Sequence, residues 1–153
     1  MAEPLTREQV LALVPQQPPF RFLDELLELD EHGAVGRYTF RADEFFYAGH
    51  FPDEPITPGV ILVETMCQTG LLALGLYLLS LELPRAEIPA DKTLLTDAEV
   101  DFAELVLPGE TVTVRAEKQF WRRRKLRSAV RLTRADGALA ASGTVSGMGV
   151  RRP

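Results

Sequence analysis

The longest apolar run in the chain sets the architecture. From Val60 to Leu81, the residues Val60, Ile61, Leu62, Val63, Met66, Leu71, Leu72, Leu74, Leu76, Leu78 and Leu79 cover nearly the whole circumference of a helix. A helix that is apolar all round must be buried all round. Its start is marked by Thr57, a candidate N-cap, and by Pro58, which suits the first helical position because its missing N–H costs nothing there. Pro84 bounds its end. Upstream, Thr6 with Gln9 three residues later has the form of a capping box and predicts a short helix over Arg7 to Val14, ended by "PQQPP". Two strands, Phe20–Leu29 and Ala34–Arg41, flank the turn "DEHG", and Asp43 to Thr57 reads as loop. After an irregular stretch to Pro89, strands are expected at Thr93–Leu107, Thr111–Arg124, Lys125–Arg134 and Ala138–Val150, with "PGE" and "ADG" as turns of a meander. Strands grouped together rather than alternating with helices predict an α+β fold. With only roughly six strands, the sheet has to curl around the long helix to bury it.

Composition narrows the class. A chain of 153 residues suits one domain spanning residues 1–153. A net charge of −5 argues against a nucleic-acid binder. The charge is uneven, however. From Thr111 onward eleven Lys/Arg face only Glu117 and Asp136, a balance of +9, whereas residues 1–110 hold six basic and twenty acidic groups, a balance of −14. One end of the sequence can therefore attract an acidic partner. Cys67 is the only cysteine, which excludes an intramolecular disulfide and fits a reducing compartment. The N-terminal "MAEPLTREQV" lacks the basic and apolar blocks of a signal peptide, so a cytoplasmic location is expected. The apolar run has the length of a membrane span, but Glu64, Thr65, Gln68 and Thr69 interrupt it and Glu82 follows it, so a buried central helix is expected instead.

The polar residues around the start of that helix carry the candidate chemistry. Glu64 and Gln68 are one turn apart and share a face, so the amide can orient the carboxyl group. A carboxyl in apolar surroundings favours its acid form and can serve as a general acid near neutral pH. His50, presented by the Pro-rich loop, titrates in the same range and can serve as a general base. The N–H of Gly59, at the positive end of the helix dipole, can meet a ligand oxygen. Together these groups suit proton abstraction beside a carbonyl with loss of a leaving group. Structural readings stand beside each. A helical Glu commonly pairs with Arg or solvent, a loop His commonly bonds backbone, and Cys67 fits a small core position. His32 sits in an acidic turn and reads as solvated. A Cys67–His50 nucleophile pair lacks a third orienting group, and His50, Glu64 and Cys67 lack the paired spacing of zinc ligands, so no metal and no cofactor are expected. "FWRRRKLR" is a basic patch, or in part a solvated strand face.

"GHFPDEPITPGVILVETMCQTG" resembles the signature of the (3R)-hydroxyacyl-acyl carrier protein dehydratases of FabZ type. The resemblance extends to "LVPQQPPFRFLDELLELD", "DEFFYAGHFP" and "VDFAELVLPGETVTV", and so runs along most of the chain. It implies the hotdog fold, a curled antiparallel sheet wrapped around a long helix. It implies dehydration of a (3R)-3-hydroxyacyl thioester to the trans-2-enoyl thioester in fatty acid or related acyl-chain synthesis. By the same resemblance His50 and Glu64 are the catalytic pair, Gln68 holds the carboxylate, and Gly59 donates to the thioester carbonyl. Phe51 and Val60 are expected beside them on the substrate-binding surface. In the family the His and Glu of one site come from different subunits, which implies a homodimer or an oligomer of dimers. The implied partner is an acyl carrier protein or a coenzyme A thioester. A thioesterase, in which Glu64 activates water, and a catalytically silent subunit share the fold and remain alternatives. The family often has basic residues where this chain has Glu54, Ala103 and Glu104, positions associated with carrier docking. Arg122, Arg123, Arg124, Lys125 and Arg127 are the candidates to replace them.

Overall fold

The computed structural model describes residues 3–151. The capping box forms as expected: Thr6 Oγ1 accepts from Gln9 N at 3.2 Å, Gln9 Oε1 accepts from Thr6 N at 2.9 Å, and α1 covers Arg7–Leu13. Six strands follow: β1 (Glu25–Leu29), β2 (Gly33–Thr39), β3 (Asp91–Phe102), β4 (Thr111–Arg122), β5 (Lys125–Arg134) and β6 (Leu139–Arg151). They form one antiparallel sheet in the order β1-β2-β4-β5-β6-β3, the hotdog arrangement, curled around a central helix. The "PGE" segment is therefore not a hairpin. The chain leaves the edge strand β3 at Phe102 and returns to the middle of the sheet at Thr111. Gly109, with φ of 87°, makes that return, its N–H bonded to the Phe40 carbonyl at 2.7 Å.

The central helix runs from Gly59 to Ser80 in three parts: α2 (Gly59–Cys67), a π-helical turn (Gln68–Ala73) and α3 (Leu74–Ser80). It is long and apolar enough to cross a membrane, yet most of it is enclosed by the protein's own sheet. The sheet approaches the π turn closely. A Cβ at Gly36 of β2 would stand 2.3 Å from Thr69 Oγ1, and one at Gly70 would stand 2.9 Å from Val130 and 3.1 Å from Ala116. Ser128 Oγ donates to the Gly70 carbonyl at 2.7 Å, giving that turn a partner inside the core. One core joins the helix to the sheet through Phe22, Phe40, Met66, Leu71, Leu74, Val114, Leu126 and Leu132. A second, on the side of α1, joins Val10, Val14, Leu23, Leu26, Leu76 and Ile88.

Two expectations about the helix change. Thr57 is not the N-cap: its hydroxyl bonds that of Tyr47 at 2.7 Å and its N–H bonds the Val106 carbonyl at 2.9 Å, so Pro58 takes the cap position and Gly59 is the first helical residue. The helix is also not covered all round. Val60 is 76% exposed, and Val63 and Glu64 are half-buried. This open stripe lies beside β3, whose Leu94 to Glu99 are exposed and whose outer edge pairs with no strand among the described residues.

Candidate active site

His50 reaches its place through a series of tight turns: Tyr47 N–H bonds the Glu44 carbonyl at 3.2 Å and His50 N–H bonds the Tyr47 carbonyl at 3.3 Å. Buried Glu44 anchors the start of the series by accepting from the Tyr38 hydroxyl and from Arg41 N at 3.2 Å. The imidazole Nδ1 lies 2.9 Å from the Ile56 carbonyl oxygen. A carbonyl can only accept, so Nδ1 carries the proton, and in the neutral imidazole it is Nε2 that presents the lone pair a general base needs. Phe51, itself half-exposed, stacks on the imidazole with ring centroids 4.1 Å apart and planes 24° apart.

His50 lines a cleft of about 510 Å³ together with Pro58, Gly59, Val60, Val63, Ala98, Val100 and Phe102. Gly59, as the first helical residue, has an N–H without an intrahelical acceptor, at the positive end of the helix dipole. The Phe102 ring covers this position so closely that a Cβ on Gly59 would stand 3.2 Å from it. The cleft thus holds an imidazole, a backbone donor and apolar walls. Ala98, Val100 and Phe102 are absent from the sequence-based selection. Their alternation along one face of β3 was the available signal, but nothing in the sequence tells which strand faces the helix start.

Glu64 and Gln68 form a second group. Gln68 is completely buried and its amide is fully used: Nε2 donates to the Phe20 carbonyl and to Glu64 Oε1, each at 2.9 Å, and Oε1 accepts from Phe22 N at 2.6 Å. These bonds fix the amide's orientation, which presents an N–H to the carboxyl group. Burial holds the Glu64 carboxyl above the ordinary carboxylate range and outweighs the opposing effect of the bond from Gln68. Within one chain, then, the structure brings His50, Phe51, Gly59 and Val60 together and brings Glu64 to Gln68, but Glu64 is not among the residues lining the His50 cleft. Cys67 takes no part in either group: it is buried, and burial pushes its thiol up to about 12.

The basic run takes an unexpected form. It is the tip of the β4–β5 hairpin: Arg122 ends β4, Lys125 and Arg127 begin β5, and Arg122 pairs with Lys125 across a two-residue turn. Arg123 and Arg124 occupy that turn with φ of 52° and 64°. Arg122, Arg123 and Arg127 are exposed, and Arg127 Nε bonds Ser146 Oγ at 3.1 Å. Trp121 Nε1 donates to Glu82 Oε1 at 3.2 Å, which places the tip near the C-terminal end of the central helix, away from Gly59.

Residues 14–144 match the model of the FabA-like domain family. A 3-hydroxyacyl-[acyl-carrier-protein] dehydratase FabZ from Chloroflexus aggregans is 35% identical over 136 residues, covering 86% of this chain and 88% of that protein. One of the same description from Herpetosiphon aurantiacus is 31% identical over 141 residues, covering 91% and 94%. Among solved structures, the dehydratase heterocomplex ApeI:P from Xenorhabdus doucetiae superposes with a TM-score of 0.75 at 13% identity, covering 94% of this chain and 91% of that one. A thioesterase from Haemophilus influenzae does so with a TM-score of 0.67 at 14% identity, covering 98% and 94%.

Proposed function

We propose that this chain, which belongs to the FabA-like family, dehydrates a 3-hydroxyacyl thioester to the trans-2-enoyl thioester and water in fatty acid or related acyl-chain synthesis. The observation that carries the reading is the likeness to two named dehydratases along nearly the whole chain. The local chemistry fits it. The Gly59 N–H polarises the thioester carbonyl and acidifies the C2 proton. His50 Nε2 removes that proton. The C2 electron pair forms the double bond to C3 as the C3 hydroxyl departs, and the acid form of Glu64 protonates that hydroxyl so that it leaves as water. The thioesterase alternative has only a fold likeness behind it, at 14% identity. Incubation with a 3-hydroxyacyl thioester separates the readings. An enoyl product supports dehydration, free thiol supports hydrolysis, and no reaction supports a silent subunit.

Among the described residues His50 and Glu64 of one chain share no hydrogen bond, which fits an assembly of two chains. A second copy added along the β3 edge covers the apolar stripe of Val60, Val63 and Val100 and brings its own Glu64 to this chain's His50. The active unit in this reading is a homodimer working in the cytoplasm, with the substrate carried on an acyl carrier protein. The same pairing decides which site the basic hairpin serves. Lys125 lies opposite Met148, and Met148 lies opposite Leu94 on the edge strand. The tip is thus about 14 Å, three strand spacings, from a strand added at that edge. Phe102 of its own chain lies a further eight residues along β3, about 26 Å away. With that edge pairing centred near Ala98, one chain's Leu94 region lies beside the other's Phe102, so Arg122, Arg123, Arg124, Lys125 and Arg127 dock a carrier that feeds the partner's site.

A further inference from the structure

His50 sits in an arm of chain, Ala48 to Pro55, whose other residues are all exposed. Bonds within the arm and to the adjoining Ile56 hold its shape. Phe51 and Glu54 exchange N–H···O bonds of 3.1 and 3.0 Å, and Ile56 N donates to the His50 carbonyl at 2.9 Å. These bonds do not fasten the arm to the body of the protein. Its neck does: Tyr47 and Thr57, ten residues apart and each 4% exposed, share the hydroxyl–hydroxyl bond of 2.7 Å. Each is anchored in turn, Thr57 through its N–H to the Val106 carbonyl and Tyr47 by packing its ring edge-on to Phe46 at 4.7 Å. Burial raises the Tyr47 phenol above its ordinary range, so it keeps its proton at neutral pH.

We propose that the Tyr47 hydroxyl is a positioning residue for His50: its bond to Thr57 closes the neck of the arm and sets the distance between the imidazole Nε2 and the Gly59 N–H, two residues past Thr57. The proposal rests on the reading of His50 as the base. A base that drifts by about 1 Å loses on the order of 10²-fold in rate even though substrate still binds. The Nδ1 bond to the Ile56 carbonyl ties the imidazole to the residue beside Thr57, so the imidazole moves with the neck.

The test uses the intact chain and a short 3-hydroxyacyl thioester. Tyr47→Phe and Thr57→Val each remove the bond with little change of shape, and Thr57→Ser keeps a hydroxyl. We expect kcat to fall roughly 10- to 100-fold in Tyr47→Phe and in Thr57→Val, with KM within about 3-fold. Thr57→Ser should stay near wild type, and the double variant should be no worse than either single one, since one bond is lost in each case. The proton spectrum gives a direct readout, because the chain has only His32 and His50. In Tyr47→Phe the His50 imidazole signals should shift or broaden while those of His32 stay in place. Wild-type kcat in Tyr47→Phe, additive losses in the double variant, or a Thr57→Ser chain as slow as Thr57→Val would each overturn the proposal. If Tyr47→Phe does not fold, Thr57→Val and Thr57→Ser test the same bond from its other end. An inactive His50→Ala beside a fully active Tyr47→Phe would sink the clamp alone, and an active His50→Ala would sink the base reading and the clamp with it.

Discussion

Glu64 shows how a single residue acquires a role from its surroundings. It is an ordinary carboxylate placed where burial outweighs the one hydrogen bond that favours its ionised form. The folded state therefore holds its proton more tightly than the unfolded chain does. The resulting stability is fully present below the ordinary value of 4.5 and is lost as pH rises through the higher folded value. Glu64→Gln removes the titration. The unfolding free energy of the wild type should therefore fall relative to that of Glu64→Gln as pH rises from about 4 to about 7. Parallel denaturation curves at the two pH values would show that the carboxyl is not held up. The same substitution keeps the shape and removes the dissociable proton. Glu64→Gln and His50→Ala should each lower turnover by ~10²–10⁴-fold while circular dichroism stays normal. Near wild-type dehydration by either variant would remove that residue from the mechanism.

At the scale of the element, Gln68 joins helix to sheet as well as serving Glu64. Gln68→Leu leaves the Phe22 N–H buried without an acceptor, a loss of about 1–3 kcal/mol before any change in activity, measurable by urea denaturation. The β4–β5 hairpin makes the opposite case. A two-residue turn with both φ positive favours Asn-Gly, and left-handed arginines cost roughly 1–2 kcal/mol each. Arg123→Asn with Arg124→Gly should therefore raise the melting temperature. If the tip docks a carrier, the same pair should lower kcat/KM for carrier-bound substrate and spare a short thioester. Unchanged kinetics on both substrates would leave the arginines without a docking role. Most of the elements were legible because local signals agree with the fold: the capping box of Thr6, the apolar run of the central helix, and the turn "ADG". What stayed illegible depended on distant partners. Thr57 looks like an N-cap until Tyr47, ten residues away, takes its hydroxyl. "PGE" looks like a hairpin turn until β3 is placed at the far edge beside β6. "RRRK" gives no turn signal, because arginine is not a turn residue. The His50–Gly59 and Glu64–Gln68 pairs were readable because each is close in sequence, whereas the β3 wall of the cleft is not.

At the scale of the whole molecule, no hydrogen bond among the described residues joins the two halves of the proposed chemistry within one chain. His50 lines the cleft beside Gly59, and Glu64, which is not among the lining residues, is tied to Gln68. The apolar stripe of α2 and the outer edge of β3 lie together, so a second copy placed there would remove apolar surface from water and pair exposed strand groups in one step. A homodimer built this way has two sites, each with His50 from one chain and Glu64 from the other. Chains carrying His50→Ala and chains carrying Glu64→Gln are then each inactive alone, because every site lacks one member of the pair. In a mixed dimer the two defects fall together in one site and the other site is intact. Subunit exchange between the two inactive proteins should therefore restore dehydration, approaching half of the wild-type activity in each mixed dimer. Mixed dimers can be isolated by placing different affinity tags on the two chains, so that recovery is read per dimer rather than per mixture. A purified mixed dimer that stays inactive would place His50 and Glu64 of each site on one chain.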